Sequence, residues 1–355
     1  MSRIQAGELR SLAARIFEAL AVPAGEAAWV AELLVRSNLV GHDSHGVMRV
    51  PQYARAIRAG LVQPGARPGI VKESPATALI DGHWGLGQVV ARYAMELAIE
   101  KARHTAVSCV CAHQLYHVGR LADYTRMAAE RDLVGIMMVN SGGAMPIVAP
   151  FGGAAGRLAT NPLSIAFPTG GPVPFVLDMA TSVVAEGQVR AKRNHGEHTP
   201  DGWLLDHRGH ATTDPNDFYQ QPPGAILPLG GATGHKGFGL ALVVETLGGI
   251  LAQAGYARPG GNRFANGTFI VAIDISAFVD PHEFRHEIDA LLAYVKSAPT
   301  APNVEAILYP GEPEAREQQR REREGIPLEE QTWQEITMLA RELGLTVATS
   351  QDNRA

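Results

Sequence analysis

A serine, two histidines and an arginine stand close together near the start of the chain, in the run Gly41-His42-Asp43-Ser44-His45-Gly46-Val47-Met48-Arg49. A histidine exchanges a proton near neutral pH, and an adjacent hydroxyl can position it or the substrate. Arg49, about one helical turn further on, offers a planar fork of donors that suits a carboxylate. The same run also reads as a helix C-cap in which Asp43 and Ser44 satisfy backbone groups.

Further clusters follow. His113-Gln114-Leu115-Tyr116-His117-Val118-Gly119 comes after a strand ending at Ala112, and loops after strands commonly carry binding groups. A lone histidine there equally reads as a hydrogen-bonded structural residue. Thr160-Asn161-Pro162 reads as a turn. In Asp178-Met179-Ala180-Thr181-Ser182, either Asp178 or Ser182 could cap the next helix. Open amides at that helix start could instead receive phosphate. His235-Lys236-Gly237 opens a helix, and Pro310-Gly311-Glu312-Pro313 follows the last strand.

No Rossmann fingerprint or P-loop is present. Gly82, Gly85 and Gly87 fall as G-x-x-G-x-G, the wrong spacing for a pyrophosphate turn. Gly230, Gly231, Gly234 and Gly237 do not follow a clear strand. A metal-dependent hydrolase or lyase is the rival from another class, built on His42 and His45. Their spacing lacks the H-E-x-x-H logic, so no metal is expected.

The elements that must position these groups come in a helical, then mixed, then helical order. Helices are expected over Ala6–Leu20, Ala24–Leu39 and Val50–Ala59, and a linker from Gly60 to Gly69. Strands are expected at Ile70–Lys72, Ala78–Asp81, Ala106–Ala112, Val134–Asn140, Ser164–Pro168, Val173–Leu177, Thr268–Asp274 and Val304–Tyr309. Helices are expected at Gly87–His104, Leu121–Arg131, Ser182–Arg193, Lys236–Gly255 and His282–Lys296, with two charged ones around Gly325 and Pro327. Trp203–Thr213 reads as irregular surface structure. The pattern is that of a helical layer from both chain ends around a central α/β domain.

Composition narrows the classes. Of 355 residues, 46% are hydrophobic, ample for a large core, and the net charge of -5 comes without a long basic run. Arg316 to Arg323 is interleaved with glutamates, so no nucleic-acid partner is expected. Cys109 and Cys111 read as small core residues in a reducing compartment. The N-terminus is amphipathic, unlike a signal peptide, and no apolar run reaches the ~18–20 residues of a membrane span. A soluble, cytoplasmic protein is expected.

Taken in order, these clusters resemble the malate/L-lactate dehydrogenase family whose fold is not Rossmann. That family also holds ureidoglycolate, sulfolactate and diketogulonate dehydrogenases and a piperideine-2-carboxylate reductase. The resemblance runs from about Ala6 to Leu345. It is carried by Asp43-Ser44-His45-Gly46-Val47 with Arg49 and Tyr53, His117-Val118-Gly119 with Tyr124, and Asn140-Ser141. It continues through Ala149-Pro150-Phe151-Gly152-Gly153, Thr160-Asn161-Pro162, Asp178 to Ser182, Lys236-Gly237 and Pro310-Gly311-Glu312.

The resemblance implies an α/β fold with a mixed sheet, and a homodimer. Residues 1–68 with 310–355 would form the helical substrate and dimer domain, and 69–309 the central NAD(P)-binding domain. It implies Ser44 and His45 as the catalytic pair, with His117 as a second candidate for the acid/base. Arg49 and Thr160 would bind substrate. His117, Val118, Gly119, Arg120, Leu121, Asn140, Ser141, Asp178, Met179, Ala180, Lys236, Pro310, Gly311 and Glu312 would contact NAD or NADP. The implied reaction is hydride transfer between nicotinamide and a small 2-hydroxy or 2-oxo carboxylate, with cyclic-imine reduction as the alternative. The segment around Glu186 and Gln188 has no clear match, and a catalytically dead binding protein on the same fold is a third reading.

Overall fold

The computed structural model describes residues 2–143, 146–258 and 263–347. The last residues of the expected helical domain, 348–355, lie outside them. A short strand β1 (Ser2–Ile4) leads into helices α1 (Ala6–Ala19), α2 (Ala24–Leu39) and α3 (Val50–Arg58). Then come β2 (Gly69–Glu73), β3 (Thr77–Gly85), α4 (Gly87–Thr105), β4 (Val107–Leu115), α5 (Ala122–Ala129) and β5 (Leu133–Gly142). A hairpin of β6 (Leu163–Phe167) and β7 (Phe175–Met179) precedes α6 (Glu186–Asn194). Three two-residue strands, β8 (Leu204–Leu205), β9 (Ala211–Thr212) and β10 (Ala225–Ile226), surround α7 (Asn216–Tyr219). The chain ends with α8 (His235–Val244), β11 (Ala265–Asp274), α9 (Pro281–Lys296), α10 (Glu312–Glu324), β12 (Ile326–Leu328) and α11 (Glu330–Glu342).

Seven strands form one mixed sheet in the order β2-β3-β4-β11-β5-β6-β7. Its single parallel pair is β3 with β4, joined by the crossover helix α4; every other neighbour is antiparallel. A Rossmann sheet is built from successive parallel crossovers, which this order lacks, and that accounts for the missing fingerprint. One face of α4 buries Val90, Ala91, Ala94, Met95 and Ala98 in a core with Val110, Ala112, Ile270 and Ala272 of the sheet.

The N-terminal segment meets the last described elements. Ile4 of β1 pairs with Ile326 of β12, and Leu9, Leu12, Ile16 and Phe17 of α1 share a core with Ile336, Leu339 and Ala340 of α11. Their i, i+3, i+4 spacing is that of an amphipathic helix with one buried stripe.

Several expectations need correction. No strand forms over Val304–Tyr309. Tyr309 instead lays its ring parallel to Phe175 and donates its hydroxyl to the Val173 carbonyl. The helix expected from Ser182 begins at Glu186, because Ser182 bridges to Pro228 and turns its hydroxyl to the Val184 carbonyl. The long helix from Lys236 leaves α-geometry after Val244 and runs as a π-helix over Glu245–Leu251. There Gly249 lies so close to Asn140 that a Cβ would stand 2.5 Å from its Nδ2. Trp203–Thr213 contributes to a small three-stranded sheet instead of irregular structure. Among the described residues, no helix is long and apolar enough to cross a membrane.

Candidate active site

The Ser44–His45 segment forms two consecutive 3-10 turns between α2 and α3. Asn38 at the end of α2 holds both, donating to Asp43 at 2.6 Å and accepting from the Val47 amide at 2.8 Å. Gly46 must be glycine here, since a Cβ would fall 2.2 Å from the Asn38 side-chain oxygen. From α10, Arg321 forks the Asp43 carboxylate at 2.6 and 3.0 Å. Asp43 is therefore an anchor, and it leaves Ser44 and His45 free to face the cleft.

His45 has its Nδ1 3.1 Å from the Ser44 hydroxyl. Its ring stacks on that of His117, centroids 5.7 Å apart and 21° from parallel. Burial, reinforced by the charge of Arg49, drags His45 down to about 3. The same two causes hold His117 well below the usual histidine range. Both rings are neutral at pH 7, because charging either would put an unpaired cation beside an existing one. Arg49 donates its Nε to the Ser44 carbonyl and one Nη to Gln52, each at 2.7 Å. Its other Nη makes no hydrogen bond among the described residues.

His117 leaves the end of β4 in a loop fixed from three sides. Its Nδ1 lies 2.6 Å from the Tyr53 hydroxyl, the Val118 amide donates to Asn266 at 3.0 Å, and Gly119 turns at φ +81°. The buried Arg120 is bidentate to buried Asp123, at 2.7 and 3.3 Å. Burial works against the Arg120 charge, but Asp123 more than restores it and raises its pKa. Asp178 does not cap the helix after it. Its carboxylate accepts from the Ala122 amide at the start of α5, at 2.7 Å, and burial raises its pKa despite that bond and Arg120.

Two adjoining cavities meet at His42, Arg120 and Asp178, which line both. The larger, about 700 Å³, takes in Ser44, His45, Gly119, Arg120, Leu121, Thr160, Asp178, Met179 and Ala180. The smaller, about 310 Å³, runs between β7, α5 and α10 and includes Gly311 and Glu314. Gly311, at φ +107°, passes so close to the Pro174 carbonyl that a Cβ would sit 2.8 Å away. Thr160 is brought to the wall by a staple: its carbonyl accepts the Thr181 amide at 2.9 Å and hydroxyl at 3.1 Å.

Other expected positions sit elsewhere. His117 is half-buried with its ring against that of His45, and Val118 is buried; neither lines the two cavities. Asn140 uses its side chain on backbone, donating to Gly255 and accepting from Gly267. Ser141 is the residue beyond it on β5, facing Asn266 at 3.5 Å. Lys236 is exposed at the start of α8 and lines neither cavity. The Pro310 carbonyl accepts from Val176, and Glu312 pairs with Lys296 at 2.6 Å.

Four contributors lay outside the sequence reading of roles: Gln88, Asn266, Glu186 and Arg190. Gln88 and Asn266 are single polar residues inside regular elements and carry no local signal. Glu186 and Arg190 lie on α6, pair at 3.4 Å, and act electrostatically on Arg49. That helix is pressed against the turn, since a Cβ on Gly187 would stand 2.8 Å from the Ser44 Cβ. Of the two histidines of the rival metal reading, His42 turns to Glu314 at 3.4 Å while His45 faces Ser44, and no group of three His, Cys, Asp or Glu side chains that could hold a metal is found among the described residues.

Comparison with known proteins places this architecture. A profile of the malate/L-lactate dehydrogenase family matches residues 4–337. Malate dehydrogenase of Pyrococcus horikoshii is 38% identical over 351 residues, covering 97% of this chain and 96% of its own. Its solved structure superposes with a TM-score of 0.88 at 35% identity, covering 98% of this chain and 97% of that one. L-sulfolactate dehydrogenase of Methanocaldococcus jannaschii is 38% identical over 338 residues, 94% of each chain. The Δ1-piperideine-2-carboxylate reductase of Pseudomonas syringae superposes with a TM-score of 0.82 at 26% identity, over 96% of this chain and 100% of that one. The chain belongs to the malate/L-lactate dehydrogenase family of oxidoreductases.

Proposed function

We propose that this protein transfers a hydride between a nicotinamide cofactor and the carbon beside the carboxylate of a small 2-hydroxy or 2-oxo acid. The observation that carries the reading is the neutral His45–His117 stack with Arg49 as the strongest charge acting on both rings. A neutral imidazole can take the hydroxyl proton, and a guanidinium with a free edge can grip the carboxylate. In oxidation Arg49 holds the carboxylate, Thr160 orients the substrate, and His45, steadied by Ser44, accepts the proton. Reduction is the reverse.

The cleft fits a dinucleotide. The amides of Gly119, Arg120 and Leu121 have no hydrogen-bond partner among the described residues, and all three residues line the larger cavity. Unpaired backbone amides beside an arginine are donors that suit a pyrophosphate. The loop from His117 to Leu121 and the run Asp178 to Ala180 would hold the nicotinamide half, and the groove at Gly311 the adenosine half. The bound cofactor supplies or accepts the hydride.

NAD is the proposed cofactor, in preference to NADP. The groove at Gly311 carries the carboxylates of Asp178, Glu314 and Glu322. Its arginines are already engaged, Arg120 with Asp123 and Arg126 with Glu130 at 2.7 Å. A ribose hydroxyl can donate to a carboxylate there, whereas a 2′-phosphate would meet the like charge of these carboxylates. Fluorescence titration should show tighter binding of NADH than of NADPH; the opposite order would refute the preference.

A homodimer is proposed from surface chemistry. No residue of α9 is buried, and it exposes Leu291, Tyr294 and Val295. The run from α8 exposes Leu240, Leu242, Val243, Ile250 and Leu251. Apolar faces of this kind are normally covered by a partner, most often a second copy. Light scattering should give twice the 37.9 kDa chain mass; a monomer would contradict it.

The functional test is a panel of pyruvate, oxaloacetate, other 2-oxo acids and cyclic imines, each with NADH and NADPH. Turnover of a 2-oxo acid supports the proposal. Turnover of a cyclic imine alone would favour the reductase alternative, for which the Pseudomonas syringae structural likeness speaks. Consumption of neither cofactor across the panel would refute both.

A further inference from the structure

The residue behind His117 has an unusually constrained hydroxyl. Tyr53 is fully buried on α3, its ring wedged between Phe17 and an edge-on Tyr116. The Gln88 side chain, also buried, donates to the Tyr53 oxygen at 2.8 Å. A phenol has one proton. With its oxygen accepting from Gln88, that proton points to the His117 Nδ1, 2.6 Å away.

The orientation of the Gln88 amide is the pivot. As placed, its carbonyl oxygen is buried with no partner. Turning it over would bury the unpaired NH2 group instead, and orphaned donors are the rarer and costlier case. The Tyr53 phenol remains protonated, because burial raises its pKa far above the usual value. An imidazole that accepts at Nδ1 and is neutral must carry its hydrogen on Nε2. His45 differs. Its Nδ1 faces a serine hydroxyl, which can accept the ring N–H and leave the other nitrogen with a lone pair.

We propose that Tyr53, held by Gln88, is a positioning residue that locks His117 as its Nε2–H tautomer, so that His117 donates a hydrogen bond to the reacting oxygen while His45 exchanges the proton. This rests on the dehydrogenase reading above. In oxidation the hydroxyl O–H breaks and its proton passes to the free nitrogen of His45. The C–H pair leaves as hydride to oxidised nicotinamide, and the carbonyl π bond forms from the former O–H electrons. His117 ends the step with the same hydrogen it began with. The two histidines thus divide the work.

The lock is tested on the wild-type protein without substrate, by 15N NMR of labelled histidine. The expected spectrum shows His117 with an unprotonated Nδ1 and a protonated Nε2, and Tyr53→Phe should turn this into a tautomer mixture. A protonated Nδ1 in the wild type would overturn the lock, whatever the enzyme turns over. The use of the lock is tested by kinetics. Tyr53→Phe should lower kcat about tenfold without moving the pH profile. His117→Gln, which keeps an N–H donor but cannot shuttle a proton, should retain at least about tenfold more activity than His117→Ala. Equal loss in both would assign proton transfer to His117 and refute the division. Absence of turnover with any substrate would refute the dehydrogenase reading and with it the use of the lock, while the NMR result would still decide the tautomer.

Discussion

At one end of the cleft His45 and His117 stack, and among the described residues no carboxylate is hydrogen-bonded to either ring. At the other end His42 leans on Glu314, Arg120 is clamped by Asp123, and Asp43 is forked by Arg321. The two histidine environments lie on one continuous surface and only a few residues apart in sequence. Burial beside Arg49 favours the neutral form of both stacked rings, whereas the other end holds paired charges, Arg120 with Asp123 and Arg321 with Asp43. The first end is thereby suited to exchanging a proton, and the second to holding a loop and a ligand in place by charge.

The largest way to break this contrast is His45→Ala. The proton relay is worth ~10²–10⁴ in rate, so kcat should fall by that factor with a smaller change in KM. Near-normal turnover in this variant, alongside an inactive His117→Ala, would reverse the roles. At the charged end, Asp123→Ala strands Arg120 as a buried unpaired cation. It should cost ~3–5 kcal/mol of stability by urea unfolding, and an unchanged midpoint would show that the clamp is structurally idle. Arg49→Ala should be milder than His45→Ala in kcat, raising KM for the carboxylate substrate ~10–100-fold. Lysine at position 49 should recover only part of that, since it lacks the two-pronged donor edge. An unaltered KM would remove Arg49 from the substrate site.

Much of this contrast is legible in the sequence. The helix α2 occupies the expected Ala24–Leu39, because a run of Ala, Leu and Glu with a leading proline is a strong local signal. The clusters around His45, His117, Thr160 and Asp178 stood out because polar side chains gather where elements end. Sheet order was not legible. Strand β11 enters between β4 and β5 from far along the chain, and nothing local encodes a long-range partner. The apolar stretch Val304–Tyr309 misled for a related reason: its aromatic residue serves the stack of Phe167 on β6 and Phe175 on β7, not a sheet edge. Gln88 and Asn266 were silent, since one buried amide in an ordinary helix or strand has no sequence signature. Asp178 looked like a helix cap and is one, but for α5, which precedes it in the chain.

The most direct measurement is kcat/KM against pH in both directions at saturating cofactor, from about pH 8.5 to about pH 5. With His45 held near 3 by burial and Arg49, the base form dominates throughout, so oxidation of the 2-hydroxy acid should stay level. Reduction needs the rare protonated form and should rise about tenfold for each unit that the pH falls, without a plateau. An inflection near pH 6.5 in both profiles, where an unperturbed histidine titrates, would show that the rings are not held neutral and would contradict the account.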